Sequence, residues 1–184
     1  MKKKELEIEG ADGSLDLTDF FGRPTFGNVT HKFTFSSLVP RSEHLTLFTQ
    51  IKNALHGQKL RIVLDDDPGF YYVGRCYVSP YTNEKGAAII SIECECEPYK
   101  YKQAKTVVSK AVDGVEVITL TNRRKRAVPS ITTTAAMTIA FGGGTWTPSA
   151  GTFTIPELEL VEGVNNVTVT GTGNITFTWQ EGDL

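Results

Sequence analysis

The chain has 184 residues, 40% of them hydrophobic and 22% charged, and its 19 basic against 21 acidic side chains leave a formal net charge of −2. That balance excludes a disordered chain, which needs low hydrophobicity and high net charge. It also excludes a dedicated nucleic-acid binder, which needs a basic excess to neutralise phosphates, and no apolar run approaches the roughly 18 residues of a membrane span.

From the first residues onward the pattern is mostly β. Met1-Lys2-Lys3-Lys4 is followed by Glu5, Glu7 and Glu9 where a secretory signal would place an apolar run, so the expected compartment is a cytoplasm with reduced thiols. Lys32-Phe33-Thr34-Phe35 alternates polar and apolar as a half-buried strand does. A helix follows: Ser42 is the expected N-cap, Glu43 suits the first turn, Leu45, Phe48, Ile51 and Leu55 form the apolar stripe, and Gly57 ends it. Leu60 to Leu64 and Phe70 to Val78 predict two strands, joined by the turn residues Asp65-Asp66-Asp67-Pro68-Gly69. Ala87 to Glu97 is the clearest strand. Ala88, Ile90, Ile92, Cys94 and Cys96 share one face, and Ser91, Glu93, Glu95 and Glu97 the other. Lys100 to Lys110 loses apolar periodicity and reads as a boundary. Beyond it Val115 to Leu120, Ile131 to Phe141, Thr152 to Leu160, Asn166 to Gly171 and Asn174 to Trp179 read as short antiparallel strands, with turns at Gly142-Gly143-Gly144 and Glu162-Gly163.

Several groupings could carry chemistry, and each has a plainer reading. Asp65, Asp66 and Asp67 are adjacent, whereas a calcium loop spaces its ligands at alternate positions, so a solvated turn is expected. Cys94 and Cys96 with Cys76 are too few for a four-ligand zinc site and read as buried apolar side chains; His31, His44 and His56 are scattered. Gly142-Gly143-Gly144-Thr145-Trp146 lacks the Lys-Ser/Thr of a phosphate loop. Tyr71, Tyr72, Tyr77, Tyr81, Trp146 and Trp179 could form a sugar platform, although such residues in strands usually pack. The basic run Arg123-Arg124-Lys125-Arg126 reads as a polar strand end, or as a surface meeting the acidic row Glu93, Glu95 and Glu97 of a neighbouring copy. No catalytic motif is present in the sequence, so the reading assigns no catalytic, cofactor or metal residues and no cofactor, and expects no enzymatic activity.

The order of these motifs resembles a known family. Gly10-Ala11-Asp12-Gly13-Ser14-Leu15-Asp16-Leu17-Thr18 opens the chain, followed by the Phe33/Phe35 strand and the helix ending Asn53-Ala54-Leu55-His56-Gly57. Leu60 to Asp67, Tyr71-Tyr72-Val73-Gly74-Arg75 and the alternating strand into Glu97-Pro98-Tyr99-Lys100-Tyr101 complete the series. Over residues 5–103 this resembles the distal tail (Dit) proteins of long-tailed, non-contractile bacteriophages. Asn122 to Pro129, Leu158-Glu159-Leu160 and Gly163-Val164-Asn165 are similar to that family's second half.

The resemblance implies a mainly β protein in two domains: residues 1–103, a β-sandwich-like ring-forming domain with one α-helix, and residues 104–184, a small galectin-like jelly-roll sandwich. It implies a structural hub of the virion, a hexameric ring at the distal end of the tail tube that lets DNA pass. The implied partners are further copies of the chain, the tail tube protein, and tail-tip, tape-measure or receptor-binding proteins; no membrane is among them. Such a protein is made in the bacterial host cytoplasm and ends at the virion tail tip. The alternative is a carbohydrate-binding module recognising cell-wall sugars through the C-terminal domain.

Overall fold

Alternating apolar residues and β-branched side chains dominate the chain, and the computed structural model is accordingly mainly β, with one α-helix among the residues it describes, 1–10, 12–18, 20 and 22–184. Ala11, within the opening Gly10 to Thr18 stretch, lies outside the described residues. Two compact units are present: Met1–Ile62 with Tyr72–Pro98, and Val63–Tyr71 with Tyr99–Leu184.

In the first unit β1 (Glu5–Glu7) and β2 (Ser14–Asp16) form an antiparallel hairpin of their own. β3 (Val29–Ser37) precedes α1 (His44–Leu55); β4 (Lys59–Ile62), β5 (Phe70–Val78, whose Phe70 and Tyr71 belong to the second unit), β6 (Thr82–Glu84) and β7 (Ala87–Cys96) follow. β4 pairs with β5, β5 with β7 and β7 with β3, all antiparallel, and β6 also pairs with β7. The Ala88, Ile90, Ile92, Cys94, Cys96 face of β7 is buried as its period of two requires. Against it α1 lays Leu47, Phe48, Ile51 and Leu55.

Two details of the helix differ from the sequence expectation. Ser42 belongs to a 3-10 turn, Arg41–Glu43, and is not the N-cap; Glu43 holds that position with no side-chain cap bond. Leu45 is exposed, and the buried stripe instead begins at His44, three residues before Leu47. A polar residue at the head of the stripe concealed its phase.

The second unit contains β8 (Lys100–Lys102), β9 (Thr106–Asn122), β10 (Ser130–Thr133), β11 (Thr138–Phe141), β12 (Gly144–Trp146), β13 (Gly151–Thr154), β14 (Gly163–Trp179) and β15 (Gly182–Asp183). β9 and β14 pair over all 17 residues, Gly163 opposite Asn122 to Trp179 opposite Thr106. The Lys100 to Lys110 stretch thus contains β8 and the start of β9, whose solvated Ser109 and Lys110 hide its strand period. Asn166 to Gly171 and Asn174 to Trp179 are one strand, not two. Gly171-Thr172-Gly173 is a crease within it, at φ +152° and +141° for the two glycines, with Met137 filling the inner side. β11 pairs with β14 before the crease and β10 pairs with it after. Both halves close on one core: Ile131, Ile175, Phe177 and Trp179 from one, Leu120, Ile139, Val167 and Val169 from the other. Ile131 to Phe141 is correspondingly two strands, broken so that its parts can pair on either side of the crease. Thr152 to Leu160 is strand only to Thr154; beyond it Ile155, Leu158 and Leu160 enter the core from a turn.

Candidate functional site

The first unit leaves a strand edge and several apolar side chains uncovered. β3 is the last strand of its sheet. One edge is fully bonded to β7, Val29 opposite Cys96 through Ser37 opposite Ala88, while among the described residues no strand pairs with the other edge. That edge runs nine residues with one lysine, no proline and no break in register. Soluble proteins usually blunt such an edge, because its unpaired N–H and C=O groups template pairing with another chain. On β3 and just beyond its end apolar side chains meet solvent: Phe35 is 53% exposed and Leu38 89%.

The β1–β2 hairpin repeats the theme. Leu6 and Leu15 sit opposite one another, each about half exposed, with Ile8 exposed next along the chain. An isolated two-stranded hairpin is marginal in water, so its apolar face calls for cover.

The outward carboxylates of β7, and Glu97 just beyond its end, already have partners in their own unit. Glu93 pairs with Lys32 at 3.0 Å, Glu95 accepts from the Asn28 amide at 2.8 Å, and Glu97 pairs with Lys59 at 2.8 Å. The basic run is likewise matched within the second unit. Arg124 reaches Glu162 at 2.6 Å and Arg126 reaches Glu159 at 2.7 Å; Arg123 lies between Glu181, at 3.1 Å, and Asp183. Asp183 and Glu181 raise the Arg123 pKa further above its ordinary value, and Glu162 does the same for Arg124. Both sets of charges thus have partners within their own units.

Arg123 belongs to a larger cluster. Glu181, 8% exposed at its side chain, also receives Lys102 at 3.3 Å and the Thr106 hydroxyl. The Phe70 ring lies between Lys100, at 4.9 Å, and Arg123, at 5.2 Å, and Tyr71 stacks on Tyr101 at 5.6 Å. The cluster ties Phe70 and Tyr71 to β8 and to the C-terminal residues of its unit. Its centre is a buried carboxylate that the sequence pattern did not mark, because Glu181 follows the last alternating strand.

The other candidates fall into structural places. Asp67 pairs with Lys100 at 2.8 Å in the connection between β4 and β5. Gly142-Gly143 is the tight turn between β11 and β12. Tyr71 and Trp179 are buried, Tyr72, Tyr81 and Trp146 are half-buried, and Tyr77 alone of the six is exposed, so they form no platform. Buried His44 bridges the Asn83 side chain at 2.6 Å and the Val39 carbonyl at 2.9 Å. His56 Nδ1 accepts from the Val78 N–H at 3.1 Å, and His31 lies against Tyr72. Among the described residues no three His, Cys, Asp or Glu side chains are grouped to hold a metal ion, and no helix is long and apolar enough to cross a membrane.

Neither a family model nor a curated protein matches the sequence. The fold does match a solved one. The crystal structure of the SPP1 Dit (gp 19.1) protein, described as a paradigm of the hub adsorption apparatus in phages infecting Gram-positive bacteria, superposes with a TM-score of 0.65. The match covers 100% of this chain and 88% of that one, at 14% sequence identity. The chain has the Dit fold. The open β3 edge, the β1–β2 hairpin and the creased β9–β14 ribbon are therefore features of a Dit-fold chain.

Proposed function

We propose that this chain is a structural component of a long non-contractile phage tail, a ring of six copies at the distal end of the tail tube. The observation that carries the reading is the likeness to the SPP1 Dit hub protein along the whole chain. The open edge of β3 and the uncovered hairpin support it physically. Each is a half-finished contact that a second copy completes, and a head-to-tail contact closes into a ring where its rotation permits. In this reading residues 1–103 form the ring, and residues 104–184 project from it as a galectin-like sandwich. The ring joins the tail tube protein to tail-tip and receptor-binding parts, and DNA passes through.

A second reading, recognition of neutral cell-wall sugars by residues 104–184, has one observation in its favour. A shallow depression of about 280 Å³ is lined by Ala140, Phe141, the Gly142–Gly144 turn, Thr145, Asn166 and Thr168, an uncharged lining whose amide and hydroxyls are of the kind that bond sugar hydroxyls. Binding of the full chain to a glycan array tests it.

Gene deletion tests the first reading. Particles assembled without the protein are expected to lack a tail tip in electron micrographs and to regain it on complementation. Infectious particles with normal tips would overturn it.

A further inference from the structure

The cysteines have a relationship that their positions along the chain do not reveal. Cys94 and Cys96 are two residues apart on β7, but the partner of Cys94 is Cys76, directly opposite on β5. The two sulfurs are 2.7 Å apart, and both residues are at most 3% exposed. Cys96 instead faces Gly74. Directly opposed antiparallel residues have Cα atoms about 4.5–5.5 Å apart, inside the roughly 4.4–6.8 Å span that a disulfide bridges. Residues i and i+2 of one strand stand about 6.8 Å apart with parallel side chains, at the limit of that span.

We propose that Cys76 and Cys94 are a modification site, forming a cross-strand disulfide that staples β5 to β7 while Cys96 stays a free thiol. The co-reactant is a low-molecular-weight disulfide such as oxidised glutathione. A thiolate of one cysteine attacks it, an S–S bond forms to the protein, and one small thiol leaves. The second cysteine, as thiolate, attacks the protein sulfur of that mixed disulfide and expels the other small thiol. In sum two protein thiols lose two protons and two electrons, and one small disulfide becomes two small thiols. Burial pushes the Cys94 thiol up to about 12 and Cys96 to about 11, so both stay protonated in the folded protein at neutral pH. The exchange therefore needs the two strands opened and solvated in an oxidising medium, outside the reduced host cytoplasm, and their re-pairing in register selects Cys76 with Cys94.

The test is to refold the reduced full chain with oxidised and reduced glutathione, then block free thiols with N-ethylmaleimide in denaturant and weigh the protein. One adduct is expected, against three for a reduced control. Trypsin should yield Cys76–Lys85 joined to Gly86–Lys100. The Cys96→Ser variant should keep this link with no adduct, and Cys76→Ser should lose it. Because Cys96→Ser could itself fail to fold, fragmentation of the wild-type linked peptide assigns the bonded cysteine independently. Three adducts on the refolded wild type, or a link through Cys96 or between chains, would overturn the proposal.

Discussion

Gly74 stands opposite Cys96 with no room between them: a Cβ built on Gly74 would lie 2.5 Å from the Cys96 sulfur and 2.8 Å from the Glu95 carbonyl oxygen. The close approach lets the cysteine fill the space a side chain would take. Gly74→Ala is expected to destabilise the protein by about 1–3 kcal/mol, the usual range for overpacking a filled core. Urea denaturation checks this, and an unchanged midpoint would contradict it.

The crease of β14 makes a second demand. Gly173 lies at φ +141°, and an added Cβ would meet the Thr134 hydroxyl oxygen at 2.7 Å and the Met137 methyl carbon at 2.9 Å. Gly173→Ala combines backbone strain of about 1–3 kcal/mol with that contact, so the melting temperature should drop by several degrees. Met137→Ala, which empties the inner side of the crease, should cost about 2–5 kcal/mol.

Glu181 is the buried centre of its cluster, bonded to Lys102, Arg123 and Thr106. Removing one member of a buried charge group leaves the others short of a partner. Glu181→Ala should cost about 1.5–3 kcal/mol, the scale of hydrogen bonds to charged groups. A double-mutant cycle with Arg123→Ala should show coupling between the two, and simple additivity would contradict the arrangement.

Alkaline titration of the reduced protein reads the buried thiols. Because Cys94 and Cys96 are raised to about 12 and about 11, the fold keeps protons that the unfolded chain would release from about pH 9. Their contribution is whole below pH ~9 and is lost as pH rises through about 11 to 12. Stability should therefore fall above pH ~9, and less so in a Cys94→Ser, Cys96→Ser variant. A reduced wild type whose stability is flat across that range would contradict it.

Much of the fold was legible because it follows local rules. The two faces of β7, the bounds of β5 and the existence of α1 come directly from periods of two and 3.6. What stayed hidden is set by tertiary contacts. The crease in β14 reads as a turn because Gly171 and Gly173 break the alternation, and only pairing with β9 carries the strand through them. The Cys76–Cys94 relationship depends on register, which the sequence leaves open until β5 and β7 are aligned. The Arg123–Arg126 run carries no sign of its partners, because Glu159, Glu162, Glu181 and Asp183 lie dozens of residues further along the chain. The open β3 edge is invisible in principle, since being unpaired is a property of the whole sheet.

If that edge joins copies, a charge placed on it should weaken assembly without unfolding the chain. Phe35 is half exposed, so Phe35→Glu should change stability little. It should weaken association by roughly tenfold or more, about 1.4 kcal/mol per interface. Circular dichroism and sedimentation together check both halves of the expectation.

The most direct test of the proposed ring is the mass of the full chain in solution, by light scattering, alone and mixed with the tail tube protein that the proposed function pairs it with. The account predicts a species of six times 20.2 kDa that negative-stain images show as an annulus, and that Phe35→Glu diminishes. A single-chain mass under both conditions, up to the solubility limit, would contradict it.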